Sequence, residues 1–319
     1  MVVENGFHPE QNEVSESLFA LGNEFMGCRA SFEEGYSGKS LKGFFFNGIY
    51  EIENIQHPQL FKGMVTKGHF MVNAADWLYT RITLDSQPLN MAQAVVRGFK
   101  RTLNLKTGVY TRSFTWVMPD GKEIMLSFER FISMVNHHIA GQKISLQPIN
   151  FNGEIEVVQG IDFNVTHQAF NECFWQVDEH DANGDIKHAL GHTKETRQRL
   201  CCAYKLFSDE VILQSNSYIG NVVSTVSRIK LKQGETATIS KLVSCFTEKN
   251  SEVCNEEIIE RARHQLVAFN QASYDHEKEQ HIAFWHNIWE TADITIEGDP
   301  ETSRALGSVY FILYRLITA

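Results

Sequence analysis

The spacing of hydrophobic positions changes once along the chain. From about residue 16 to residue 246, short β-branched and aromatic runs are interrupted by Gly, Asn-Gly or Asp-Gly steps, the punctuation of antiparallel sheets. A Lys-Thr-Gly interruption at 106–108 divides one long run, and 116–127 folds over Pro119-Asp120-Gly121, where Asp-Gly suits the positive φ of a tight hairpin. Asn152-Gly153 and Asn183-Gly184 predict two further hairpins. Alternation in Glu154-Ile155-Glu156-Val157 and across 236–243 gives those strands one face for a core and one for water. So many strands exceed what one twisted open sheet holds. The pattern therefore predicts a mainly β protein, a large antiparallel two-sheet β-sandwich.

From Glu256 the apolar positions Ile258, Ile259, Ala262, Leu266 and Phe269 recur at three and four residues, which predicts a helix. A second helix spans about 274–290, with His281, Ile282, Trp285, Ile288 and Trp289 on one face, and 294–297 reads as a short strand after it. A third helix starts at Pro300, a favoured first-turn residue, with Asp299 as its cap. Its stripe of Leu306, Val309, Tyr310, Leu313, Leu316 and Ile317 is broad enough to pack against more protein.

Composition narrows the class. With 319 residues, 43% hydrophobic and 21% charged, the chain is globular and large enough to bury roughly three-quarters of its extended surface without a disulfide or metal. Twenty-nine Lys and Arg against 39 Asp and Glu give a net charge of −10, which argues against nucleic acid and anionic membrane partners. No apolar window is long enough to span a bilayer. The first residues lack the charged start and apolar stretch of a secretory signal, so the expected location is cytoplasmic. Cys28, Cys173, Cys201, Cys202, Cys245 and Cys254 show no C-x-x-C spacing and read as free thiols. No internal repeat is evident.

Several segments are recognisable in order. Residues 16–36 (ESLFALGNEFMGCRASFEEGY) and 43–51 (GFFFNGIYE) resemble the amino-terminal signature of glycoside hydrolase family 65, the maltose, trehalose and kojibiose phosphorylases. Residues 105–112 (LKTGVYTR), 128–134 (FERFISM) and 153–157 (GEIEV) resemble its successive strands. Glu24 and Cys28 depart from the pattern of that opening segment. The resemblance implies that 1–255 is a sandwich related in architecture to galactose mutarotase and that 256–300 is a helical linker. It implies that 301–319 opens a truncated catalytic (α/α) barrel. It also implies an inverting phosphorolysis that turns an α-glucoside and inorganic phosphate, the co-substrate, into β-glucose 1-phosphate and a sugar. No other cofactor is implied, and the implied assembly is a homodimer. The family's acid glutamate and phosphate-binding residues align downstream of position 319, so no catalytic residue transfers to this chain. Maltose, trehalose, trehalose 6-phosphate and kojibiose are not distinguished, nor is phosphorolysis from hydrolysis.

The local residues bear on the same reaction. Such chemistry needs a carboxylic acid at the leaving oxygen and an anion pocket. Glu33-Glu34 is the tempting pair, but neighbours in a strand face opposite sides unless a loop turns them together. His137-His138, and His180, His188 and His192 near Asp178, Glu179, Asp181 and Asp185, superficially suggest a metal site, yet Gly184 misfits a calcium loop. Trp175, Trp285 and Trp289 read as core rather than sugar platforms. For the opening motif two readings stand. The glycines serve turns and Arg29 pairs with Glu33 or Glu34, or else Asn23, Arg29, Glu33, Glu34 and Tyr36 border a sugar pocket where sandwich meets barrel. The competing whole-protein reading is a free-standing carbohydrate-binding or mutarotase-like sandwich.

Overall fold

The structure is a computed structural model that describes residues 1–55, 61–208, 211–294 and 296–317. Two antiparallel sheets face each other. The larger runs, edge to edge, β1 (Val2–Asn5), β9 (Val95–Asn104), β10 (Val109–Val117), β11 (Glu123–Ile132), β12 (Ile139–Pro148), β19 (Ala237–Glu248), β16 (Arg199–Phe207), β15 (Lys187–Thr193) and β14 (Trp175–Asp181). The smaller runs β17 (Val211–Ile219), β18 (Val222–Leu231), β13 (Gly153–Asp162), β7 (Thr80–Leu84) and β8 (Gln87–Pro88). Phe114, Leu126, Ile144 and Ile239 of the larger sheet share one buried core with Ile82, Ile155, Val157 and Ile229 of the smaller. That is the expected sandwich.

The β9–β10 and β10–β11 hairpins turn where the Gly steps place them, with Gly108 and Gly121 at φ +64° and +89°. Asn183-Gly184 likewise closes the β14–β15 hairpin, with Gly184 at φ +71°. Asn152-Gly153 does not make a hairpin. It carries the chain from β12 in one sheet to β13 in the other, and Asn152 Oδ1 accepts from Gln233 N–H at 2.8 Å to fix that crossing. The alternation expected across 236–243 fails too: from Ile239 to Cys245 both faces of β19 are buried. Helices cover the outer face there. α2 (Asn255–Val267) lays Ile258, Ala262 and Leu266 on Leu190, Cys201 and Leu242, and Tyr274 of α3 (Ser273–Ala292) joins the same cluster.

The first strand-like segment also differs, because Glu16 lies in α1 (Asn12–Leu18) rather than in a strand. β2 (Leu21–Gly22), β3 (Met26–Cys28) and β4 (Phe44–Phe46) form a small sheet, and β5 (Tyr50–Asn54) pairs with β6 (Lys67–Met71). No strand occurs at 294–297 among the described residues, and Thr295 lies outside them. The chain there is an irregular link to α4 (Pro300–Ile317). Asp299 caps α4 as expected, accepting from Thr302 N–H at 3.0 Å. The stripe differs in detail. Phe311, absent from the expected set, is buried and stacks on Trp285 at 4.6 Å, while Val309 is half-exposed. The side chains of Leu313, Leu316 and Ile317 lie outside the described ones.

Candidate functional site

The loop joining β3 to β4 carries the recognisable motif. Glu33 and Glu34 sit in a turn rather than a strand, so the opposite-face rule does not apply, and Gly35 at φ +89° lets the chain reverse. Both carboxylates point inward to two arginines. The period of two places Tyr110 and Arg112 of β10 on one face with Phe128 and Arg130 of β11, in the registers Tyr110↔Arg130 and Arg112↔Phe128. Arg112 donates Nη1 to Glu34 Oε1 at 2.7 Å, and Nη2 to Glu34 Oε2 at 2.5 Å and Glu33 Oε2 at 2.7 Å. Arg130 Nη1 lies 3.2 Å from Glu33 Oε1. All four charged side chains are 0% exposed.

Aromatic faces complete the enclosure. The Arg112 guanidinium stands 4.1 Å from the Phe128 ring and 4.6 Å from Phe32, and Arg130 stands 4.4 Å from Tyr110. Burial alone would raise the Glu33 carboxyl, but the guanidiniums of Arg130 and Arg112 outweigh it and hold the group below its ordinary value. Burial dominates at Glu34 and pushes that carboxyl up, with Arg112 only partly offsetting it. Both carboxylates are closed off from water and paired with arginines, although Glu33 Oε1, Arg112 Nε and Arg130 Nε and Nη2 have no hydrogen-bond partner among the described residues. These pairs tie the β3–β4 loop to β10 and β11.

The remaining motif residues do different things. Arg29 does not pair with either glutamate; its Nη1 donates to Ser17 Oγ at 2.8 Å. Tyr36 is half-buried, edge-on to Phe32 at 5.2 Å and Phe7 at 5.8 Å. Asn23 ties two turns together. Its Nδ2 donates to the carbonyls of Ser133 at 2.7 Å and His137 at 3.0 Å, and its Oδ1 accepts from the N–H groups of Phe25 and Met26. The structure thus joins Glu33 and Glu34 and leaves Asn23, Arg29 and Tyr36 apart from them. Beside Asn23 opens a cavity of about 370 Å³ whose walls include Glu24, Phe25, Phe45, Met71 and Ile312 of α4. It is mostly apolar, with the Asn23 amide already engaged.

Two other sequence candidates resolve into ordinary contacts. His192 Nδ1 lies 2.6 Å from Asp178 Oδ2, while His188 Nδ1 accepts from Arg263 Nη1 at 3.2 Å. Burial, helped by Arg263, pushes His188 down to about 4. Among the described residues no group of three His, Cys, Asp or Glu is arranged to hold a metal ion. Trp175 donates Nε1 to the Asn73 carbonyl and Trp289 to the Leu105 carbonyl, both at 2.8 Å, and Trp285 is buried. These indoles are core.

Sequence reasoning missed Arg112 and Arg130, the partners that explain Glu33 and Glu34. A signal was present: Arg112 keeps step with the buried Tyr110 and Phe114, and Arg130 with Phe128. Lys241 was missed as well. It is fully buried, donates to the Gly160 carbonyl at 3.2 Å, and is pushed down to about 7 by burial.

With this geometry in view, comparison with known proteins is specific. Residues 2–288 match the glycosyl hydrolase family 65 N-terminal domain. The chain is 26% identical to the α,α-trehalose phosphorylase of Thermoanaerobacter brockii over 94% of its length, and 27% identical to the kojibiose phosphorylase of Halothermothrix orenii over 99%. It is 26% identical to the maltose phosphorylase of Bacillus subtilis over 97%. It spans about 40% of the length of these relatives. A solved structure from the human microbiome, provisionally named a kojibiose phosphorylase, superposes with a TM-score of 0.91 at 28% identity, covering 98% of this chain and 41% of that one.

Proposed function

Because this chain belongs to glycosyl hydrolase family 65 and carries its N-terminal domain, we propose that it is the non-catalytic amino-terminal part of an inverting disaccharide phosphorylase in carbohydrate metabolism. The parent reaction converts an α-glucoside and inorganic phosphate to β-glucose 1-phosphate and a free sugar. In this reading residues 1–255 form the supporting sandwich, 256–300 the helical linker, and 301–319 the start of the catalytic (α/α) barrel. The observation that carries it is the match over 98% of this chain to only 41% of a solved phosphorylase chain. The Glu33–Glu34–Arg112–Arg130 cluster supports it, since the adjacent carboxylates of the motif are buried and paired with arginines rather than open to a substrate. Asn23, with Ile312 of α4 across the cavity, then borders the junction of sandwich and barrel, and Arg29, Glu33, Glu34 and Tyr36 hold the loop behind it. The parent acts in the cytoplasm as a homodimer.

Two measurements test this. The purified chain given phosphate with maltose, trehalose or kojibiose is expected to release no β-glucose 1-phosphate, and turnover by the chain alone would overturn the non-catalytic assignment. Sequencing past the codon for Ala319 is expected to show an open frame encoding a helical barrel with a glutamate acid. An immediate stop codon would sink the phosphorylase reading and leave a free-standing sandwich, for which sugar binding and mutarotation are the assays.

A further inference from the structure

Cys202 and Cys245 face each other on adjacent interior strands of the larger sheet. They are direct partners in the β16–β19 register, and their Sγ atoms lie 3.3 Å apart as free thiols. The hydrogen bonds around them fix the type of pairing. Cys245 N–H donates to the His138 carbonyl at 3.0 Å, and the Cys245 carbonyl lies 2.8 Å from His138 Nδ1. Both backbone polar groups of Cys245 therefore point away from β16. Cys202↔Cys245 is consequently a non-hydrogen-bonded antiparallel pair, the narrow kind with Cα atoms about 4.5 Å apart. That separation falls inside the roughly 4.4–6.8 Å window of disulfides. Both side chains belong to the same buried core cluster as Tyr204 and Val243. Neighbouring Cys201 belongs to the helix-covered cluster on the opposite face, so it is not an alternative partner for Cys245.

We propose that Cys202 and Cys245 are a modification site, a vicinal thiol pair that two-electron oxidants of the peroxide class convert to a reversible cross-strand disulfide. One thiol is oxidised to a sulfenic acid as the peroxide O–O bond breaks and water leaves. The second sulfur then attacks it, forming the S–S bond and expelling a second water. The net change is two thiols and one hydrogen peroxide to one disulfide and two waters. A dithiol reductant reverses it. Burial keeps Cys202 protonated, so the reaction waits on local opening of the strands and is slow compared with an exposed thiol such as Cys254. Once formed, the bond staples two adjacent interior strands of the sheet, and β19 is followed by α2.

The test treats the folded chain with hydrogen peroxide under native conditions, alkylates remaining thiols in denaturant, and maps peptides without reduction. The expected result is a linked peptide pair assigned to Cys202 and Cys245, short by two hydrogens and lost on adding dithiothreitol. The link should survive in Cys201→Ser and Cys173→Ser and vanish in Cys202→Ser or Cys245→Ala. The oxidised chain should also melt several degrees higher than the reduced chain. Recovery of both cysteines alkylated, a link made only after denaturation, or a link through Cys201 overturns the proposal. The wild-type map needs no variant to fold. An unchanged melting temperature in linked protein would overturn the claim that the bond acts as a staple.

Discussion

Arg112 serves two carboxylates at once, so its removal differs from the loss of a surface ion pair. Arg112→Met leaves Glu33 and Glu34 buried beside each other, with Arg130 beside Glu33 as the remaining ion pair among the described residues, and an uncompensated buried charge of this kind costs about 3–5 kcal/mol. Urea unfolding of the variant at pH 7 reads that loss; a change below about 1 kcal/mol would mean water reaches the cluster. His281 supplies the pH dependence. It lies on the buried face of α3, accepts from Met134 N–H through Nδ1 at 3.3 Å, and is pushed down to about 4 by burial. The unfolded chain takes up that proton near 6.5, so between those values the unfolded state binds more protons. Stability is therefore full above about pH 6.5 and falls as pH drops toward 4, by about 3 kcal/mol for this group. Urea midpoints at pH 7 and pH 5 should show the fall, and His281→Gln should flatten part of it. His188 contributes with the same sign.

At the scale of elements, the β9–β10 turn and α3 are fitted to each other. A Cβ on Gly108 would stand 2.2 Å from Trp285 Nε1, and the residue is left-handed at φ +64°. Gly108→Ala combines backbone strain with overpacking and is expected to cost about 2–4 kcal/mol. Gly121 turns the next hairpin at φ +89° with nothing within 4 Å, so Gly121→Ala should cost only about 1 kcal/mol of strain. Thermal melts of the two variants separate the contributions, and equal losses would show that the Trp285 contact carries no weight. α4 depends on its ends. Asp299→Ala removes the acceptor for Thr302 N–H and should cost about 1 kcal/mol of local stability, read as faster amide exchange in the first turn.

At the scale of the whole molecule, α4 meets the core through Phe311 stacked on Trp285, with Tyr310 packed against the same cluster and Ile312 on the cavity wall. The link before it, with Ile294 and Ile296 exposed, should be the first site of limited proteolysis, between 291 and 302. Phe311→Ala should accelerate that cleavage several-fold while leaving the sandwich melt nearly unchanged. If cutting instead starts in the β14–β15 hairpin, α4 is held by contacts other than Phe311. The sheets behave as one body in this picture, since the core shared by Leu126 and Val157 gives neither sheet a separate interior.

The sequence alone determined the local geometry. Turn residues at 108, 121 and 184 demanded left-handed backbone, alternation marked the start of β13, and a switch from period two to period 3.6 marked α2 and α3. These signals are legible because each is set by neighbours a few residues apart. The opening motif marked Glu33 and Glu34 but left open whether they pair with Arg29 or border a sugar pocket. Only the tertiary structure decided their partners, because these come from β10 and β11, 78 and 79 residues away for Arg112. The same distance hid three other features: the crossing at Asn152 between sheets, the helices that bury the outer face of β19, and the meeting of Cys202 with Cys245. Each depends on which strands lie side by side, and a hydrophobic pattern specifies a face to be covered without specifying what covers it.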